Sequence, residues 1–310
     1  MLKLVINNHE IVENTISDHI KLIDKKLIIP DKTIIKEPIN ITLIKDNNEE
    51  LDFIVGKNSD ISILLEIVDD STTKNNYKIN FTAKENSNIK YLLIAALNSS
   101  DALLNHKFIV ERFANLEIMA GLVSNVLTAK LDVTLNGEGS SVNINSIAAS
   151  SDDHNQVIDV YMRHNAPNTY GNMNNVGIAN KRGRVILNGI EKIEQGMKDS
   201  EVFQTLKGII TSDEAIIEVN PILLIEEYDL KAAGHAATVG KLDEEMLFYL
   251  QSRGLPRKDA EKLIINGFIK PIIDEIKNDE LKEKFVNLVN SRIWFDEQKY
   301  KRWISILYKQ

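Results

Sequence analysis

Few side chains in this sequence are equipped for chemistry. The chain has 310 residues and no cysteine. That removes disulfides, thiolate nucleophiles and cysteine ligation of zinc or iron–sulfur clusters together. Any metal held by this chain alone must use histidine, carboxylate or carbonyl groups. Of the six histidines, His235 has the most distinctive setting, the small-residue segment Ala232-Ala233-Gly234-His235-Ala236-Ala237. A lone histidine beside alanines is more often structural than functional. His154 and His164, with Asp152, Asp153 and Asp159 nearby, match no metal-ligand spacing and read as scattered surface polar residues. Nothing singles out His9, His19 or His106.

Two other stretches invite a phosphate or nucleic-acid reading. Gly234 to Leu242, GHAATVGKL, lies between an apolar run and a helical pattern, where a phosphate loop would sit. A Walker A motif needs four residues between its glycines and a Ser or Thr after the lysine. Here there are five, and Leu242 replaces the hydroxyl, so no ATPase is encoded. Lys181-Arg182-Gly183-Arg184 reads as a solvated turn, because a net charge of −8 opposes general nucleic-acid binding.

The elements that must position His235 follow from the pattern around it. Ile222 to Ile225 is an apolar run suited to a buried strand, and the Ala/Gly segment after it reads as a turn. Beyond Gly240 the period changes, with Leu242, Met246 and Leu250 at helical spacing. Asp243, Glu244 and Glu245 favour the first turn of that helix, and Gly254 with Pro256 stops it. From about Lys26 to Ile225 short runs rich in Ile, Val, Leu and Thr recur. They include Ile61 to Ile67, Tyr77 to Phe81, Ile89 to Ala95, Val142 to Ile147 and Arg184 to Ile193. Leu131, Val133 and Leu135 alternate with Asp132 and Thr134, which places the three apolar residues on one face. Asn136-Gly137-Glu138-Gly139 and Asn58-Ser59-Asp60 carry turn chemistry.

Such a stretch is an all-β unit. A sandwich, a barrel and a parallel β-helix all satisfy it, and no hexapeptide or nonapeptide repeat decides among them. Residues 1–27 read as a short lead-in with a helical turn around His19 to Ile23, residues 28–240 as the β core, and 241–310 as helical. In the tail, Ile264, Phe268, Ile272 and Ile276 make one stripe, which Pro271 should kink or divide. Leu281, Phe285, Leu288 and Val289 make a second, and Tyr300, Trp303, Ile304 and Leu307 a third. Hydrophobic residues form 43% of the chain, ample for a sizeable core, and the length suggests two domains. With no signal-like N-terminus and no apolar run near the ~18 residues of a membrane helix, a soluble cytoplasmic protein is the expectation.

The run DLKAAGHAATVGKLDEEMLFYLQSRGL closely resembles the signature of the SufB/SufD family of iron–sulfur cluster assembly proteins, on its SufD branch. The stretch before it has the family's landmarks in order: a turn with a basic residue, the Gly189-Ile190 strand, Gly196, Gln204 and the Asn220-Pro221 strand. Ile28 to Ile44, IIPDKTIIKEPINITLI, resembles the start of the family's β core. The likeness is strong from about 155 to 270, weaker from 28 to 154, and absent over the last forty residues. It implies a mainly β fold, a right-handed parallel β-helix core with a C-terminal helical domain. It also implies a non-catalytic subunit of an ATPase-coupled scaffold. In that picture the chain pairs with a cysteine-bearing SufB-like paralogue and contacts a SufC-like ABC ATPase through Met246, Leu247, Tyr249, Leu250, Arg253 and Phe268. His235 matches the family histidine that faces a SufB cysteine, where it would act as a ligand to a transient iron–sulfur cluster at the interface.

The absence of cysteine fits the SufD branch and rules out the SufB one. No cofactor is expected on this chain alone, and neither nucleic acid nor membrane as partner. Two features depart from the family. The helical N-terminal domain of larger members has no counterpart here, and Ala232-Ala233 is one residue longer than the usual spacing before Gly-His, which shifts His235. The rival expectations are a carbohydrate-active β-helix enzyme, which would need clustered carboxylates, and a stand-alone homodimer.

Overall fold

The computed structural model describes residues 2–16, 20–44, 48–69, 72–274 and 279–293. Its short apolar runs are strands. The first six are β1 (Leu2–Asn7), β2 (Glu10–Asn14), β3 (Lys21–Ile23), β4 (Lys26–Ile29), β5 (Ile39–Ile44) and β6 (Asn48–Val55). They are followed by β7 (Asp60–Asp69), β8 (Lys74–Ala83), β9 (Asn88–Leu97), β10 (Asp101–Val110), β11 (Asn115–Leu122), β12 (Leu127–Leu135) and β13 (Ser141–Ser150). The last six are β14 (Asn155–His164), β15 (Tyr170–Ala179), β16 (Arg184–Ile193), β17 (Glu201–Ile210), β18 (Ile216–Ile225) and β19 (Ala232–Lys241).

From β4 onward, strands alternate between two sheets, one ordered β19-β17-β15-β13-β11-β9-β7-β5-β1-β2 and the other β18-β16-β14-β12-β10-β8-β6-β4-β3. Each strand pairs in parallel with the one two ahead, as in Leu131 with Val160 and Gly189 with Pro221. The fold is therefore a parallel β-helix, not a sandwich or a barrel. Successive coils place Asn115 against Asn88, 27 positions apart, and Asn220 against Asn188, 32 apart.

Alternation decides which side chains enter the lumen. Leu131, Val133 and Leu135 are fully buried while Asp132 and Thr134 face outward. Inside, Phe53, Phe81, Tyr91 and Phe108 pack as a ring column, with Phe81 and Tyr91 centroids 5.1 Å apart. His106 stacks on Phe108 at 4.0 Å, and burial lowers its pKa to about 3, so it serves as a neutral ring. Outside, amides form ladders from coil to coil, among them Asn86 to Asn58 at 2.7 Å and Asn188 to Asp159 at 2.6 Å. One corner repeats a left-handed residue coil after coil: Lys32, Asn58, Asn86, Phe113, Gly139, Asn168 and Asp199 all have positive φ.

The N-terminal segment belongs to this body, since β1 pairs in parallel with β5. The helical turn expected around His19 to Ile23 is absent: Lys21–Ile23 is strand β3, and His19 lies outside the described residues. Asp24 and Lys25, at φ 46 and 61, form a two-residue turn that sends β4 back antiparallel to β3. Asn8 and His9, at φ 50 and 67, do the same between β1 and β2. The first coil is thus covered by two hairpins.

Three helices follow: α1 (Glu244–Ser252), α2 (Arg257–Ile273) and α3 (Asp279–Ile293). Asp243 caps α1 by accepting from the Glu245 and Met246 amides at 2.8 and 3.2 Å, and Gly254 at φ 94 lies just beyond its end. The helices lie on the outer face of the odd-numbered sheet, where Leu247, Ile265, Ile269 and Phe285 pack against Ile94, Met119 and Ile147. Gly121 makes that approach possible, because a Cβ there would lie 2.2 Å from the Phe285 ring. Arg292 of α3 donates to the Val123 carbonyl at 3.0 Å and to the Asn125 side chain, tying the helix to the sheet. Pro271 falls in the last turn of α2, which ends two residues later, so it terminates the helix more than it divides it. Phe285, Leu288 and Val289 are buried as the second stripe requires. Ile276, the Leu281 side chain and the third stripe (Tyr300, Trp303, Ile304, Leu307) lie outside the described residues.

Candidate functional site

The two ends of the solenoid differ. Beyond β18 and β19 no further strand continues either sheet among the described residues, so both present a strand edge to solvent. The outward side chains of β18 include Ile216, Ile222 and Leu224, at 49%, 40% and 43% exposure, beside Glu218 and Asn220. On the lumen side, Ile225 and Val239 are likewise exposed, because no next coil covers them.

His235 stands on this end. The expected turn over Ala232–Ala237 is instead the first half of β19. Alanine and glycine carry little strand preference, and pairing with β17 overrides it. In that pairing Gln204 lies opposite His235. Gln204 points into the lumen and is buried, whereas His235, with the same parity one strand further out, is exposed.

Beneath it lies a polar floor that no sequence motif marks. Along β16 the inward positions run Val185, Leu187, Gly189, Glu191 and Ile193, so a carboxylate occupies a hydrocarbon position. Glu191 is fully buried, with the Gln204 side chain as its hydrogen-bonding neighbour. Burial pushes its pKa well above the usual carboxylate value, and Gln204 beside it only partly counters that. Gln204 donates through Nε2 to the Ile222 carbonyl at 2.8 Å, leaving its own Oε1 without a donor. A protonated Glu191 has an O–H to offer that acceptor. The one signal in the sequence is a single charged residue in an otherwise apolar alternation.

The other candidates separate. His164 is buried in a corner, its Nδ1 2.7 Å from the Thr169 hydroxyl, which in turn lies 2.8 Å from Ser200. Burial lowers its pKa to about 4. Asp152 pairs with Lys181 at 2.6 Å and Asp153 with Arg182 at 2.5 and 2.7 Å. Asp159 accepts from Asn188. Lys181 and Arg182 of the basic turn are therefore matched by carboxylates of the preceding coil, and Arg184 by Glu218 of the next one. Among the described residues no three His, Cys, Asp or Glu side chains gather as a metal cluster.

A second surface lies on the helices. Met246, Phe248, Tyr249, Leu263 and Phe268 are 49–74% exposed, and Arg253 lies over the Tyr249 ring at 5.3 Å. Leu250 is partly buried against the helix–sheet core. Leu247, expected at a partner surface, is fully buried. Packing on the sheet sets the rotation of α1 so that Leu247, not Met246, is buried. Phe248 and Leu263 carry no signal in the sequence, because they fall outside the stripes.

Comparison with known proteins adds the following. A family model described as SUF system FeS cluster assembly, SufBD core domain, matches residues 45–268. The chain is 31% identical to the iron–sulfur cluster assembly protein SufD of Bacillus subtilis over 183 residues, 59% of this chain and 42% of that protein. It is 29% identical to SufD of Escherichia coli over 170 residues, 54% of this chain and 40% of that protein. An iron–sulfur cluster assembly SufBD family protein of Mycobacterium tuberculosis is 28% identical over 200 residues, 64% of this chain and 24% of its own length. The matched stretch thus spans less than half the length of each relative.

Proposed function

The chain belongs to the SufBD core family of the SUF iron–sulfur cluster assembly system, and from that premise we propose that it serves as a SufD-type, non-catalytic scaffold subunit. The observation that carries this is the uncovered end of the solenoid, with exposed strand edges and His235 upon it. A partner of the same fold laying its own terminal strands against β18 and β19 would satisfy the edge groups and bury Ile225 and Val239. A SufB-type paralogue suits that place. It must also bring thiolates, since this chain has no cysteine. The cluster is cargo, and His235 supplies an imidazole to it beside the partner's sulfur ligands.

The helical face takes the second role. Met246, Tyr249, Arg253 and Phe268, with Phe248 and Leu263 and the partly buried Leu250, form the surface for a SufC-type ATPase. Leu247 is excluded, because it holds α1 to the sheet. Nucleotide chemistry stays with that partner, and motion reaches the β body through α1 and α2. No helix among the described residues is long and apolar enough to cross a membrane, and we place the subunit in the cytoplasm.

The test is co-expression with the host's SufB-type and SufC-type proteins, read by mass and stoichiometry of the purified complex. A complex containing all three is the expected result. His235→Ala should then leave the complex intact and slow cluster formation. A chain that emerges alone or as a homodimer overturns the subunit role, and a variant complex that forms cluster at the normal rate overturns the role of the histidine.

A further inference from the structure

We propose that Glu49 is a shared latch that holds both N-terminal hairpins over the first coil, so that one carboxylate controls whether the strand edges of β1 and β4 are covered. Glu49 lies on β6 in the inward row of Leu51, Phe53 and Val55, and its side chain is buried. One of its oxygens is 2.9 Å from His9 Nδ1 and the other 2.8 Å from Lys25 Nζ. His9 belongs to the turn between β1 and β2, in one sheet, and Lys25 to the turn between β3 and β4, in the other. A single buried side chain thus ties down one hairpin of each sheet.

The turns supply the second observation. His9 at φ 67 and Lys25 at φ 61 fill the same second position of their two-residue turns, where glycine is usual because a side chain is strained there. Two residues at the costly position of two separate turns reach the same carboxylate. Little else anchors the strands beyond them. No residue of β2 is buried, and Ile11 and Val12 face solvent. β3 sets only Leu22 partly into the core. A buried carboxylate that loses one of two cations keeps its charge with less to offset it. Release of either hairpin therefore weakens the hold on the other, and the cap opens as one unit.

The covered edge has a matching occupant. β1 lies in the sheet that ends in β19, and β4 in the sheet that ends in β18. With the hairpins lifted, the first coil offers two parallel-type edges that correspond, sheet for sheet, to the two at the uncovered end. A second copy of this chain fits both at once. β2 and β3 run antiparallel and deny it that register.

Hydrogen exchange on the intact chain, read by mass spectrometry, tests the latch. Glu49→Gln should speed exchange in β2 and β3 by at least about tenfold, while β9 to β16 keep their protection. His9→Gly and Lys25→Gly ease the turn backbone and remove the contact with Glu49. Each should speed exchange in both hairpins, the distant one included. Glu50→Gln, which loses an exposed pair with Lys78, should change neither. Light scattering at rising concentration should show Glu49→Gln forming species larger than two chains. Unchanged protection of β2 and β3 in Glu49→Gln overturns the latch, as does a glycine variant that frees its own hairpin alone. If Glu49→Gln does not fold, the two glycine variants decide by that same criterion. A variant that opens without associating overturns the role given to the covered edge.

Discussion

At Glu191 one ionisable group occupies a position whose parity asks for a hydrocarbon. Its pKa in the folded chain is raised above the 4.5 of an ordinary glutamate by burial. Its neutral form is therefore what folding favours, and stability is fullest below pH 4.5. As pH rises the unfolded chain ionises there while the folded chain resists, so stability declines until the folded pKa is passed. Glu191→Gln removes that slope. Chemical denaturation from pH 4.5 to 8 should show the variant gaining on the wild type as pH rises, by about 1–3 kcal/mol at the upper end. A constant gap would mean that Glu191 is already charged and paired at low pH. The alternation that exposes this residue is legible in the letters of β16, just as that of Leu131, Val133 and Leu135 is in β12. The location of His235 in a strand is not. An Ala-Gly-His-Ala run has no pattern of its own, and its conformation comes from the β17 ladder beside it.

At the level of elements, the helices hold to the sheet through a few close approaches. Phe285 fits only because residue 121 lacks a side chain. Gly121→Leu should therefore push α3 from the sheet and cost about 1–3 kcal/mol. Limited proteolysis should then cut first in the helical region, with the strand-rich body surviving. Simultaneous loss of both would show that helices and solenoid fold as one unit. Helix positions on the chain are legible from the Asp243 cap and the Gly254 stop. The rotation of α1 is not, because a stripe of Leu242, Met246 and Leu250 and a stripe through Leu247 differ by one residue, and contact with the sheet chooses between them. The two N-terminal hairpins escape the sequence for another reason. Asn8-His9 and Asp24-Lys25 lack the Asn-Gly or Asp-Gly pair that usually marks such turns.

At the level of the whole molecule, the repeat is structural and not textual. From β4 onward, offsets between stacked residues vary from 24 positions, Ile39 to Ile63, to 32, Asn188 to Asn220, which blurs any fixed sequence period. What recurs is a backbone state, the left-handed corner held by Lys32, Asn58, Asn86, Phe113, Gly139, Asn168 and Asp199. Asparagine and glycine suit that state, lysine and phenylalanine do not advertise it, and so the coil is invisible letter by letter. The fold also predicts a gradient in hydrogen exchange. Amides of β9 to β16 sit between paired strands and should exchange only with large openings, whereas those on the outer edges of β18 and β19 should exchange far sooner. Mass-spectrometric exchange on the isolated chain should rank them so, and binding of a partner at that end should slow the last two strands selectively. Uniform protection along the solenoid would mean the edge is already covered.

The antiparallel hairpins over the first coil bear on how far association can go. A rod with two adhesive ends adds subunits head to tail without limit, the geometry of a filament. Here β2 and β3 turn back at one end and the other stays available. Two such rods that meet through β18 and β19 leave β2 and β3 as their free edges, five- and three-residue strands that do not continue the parallel coil, so growth beyond the pair is disfavoured.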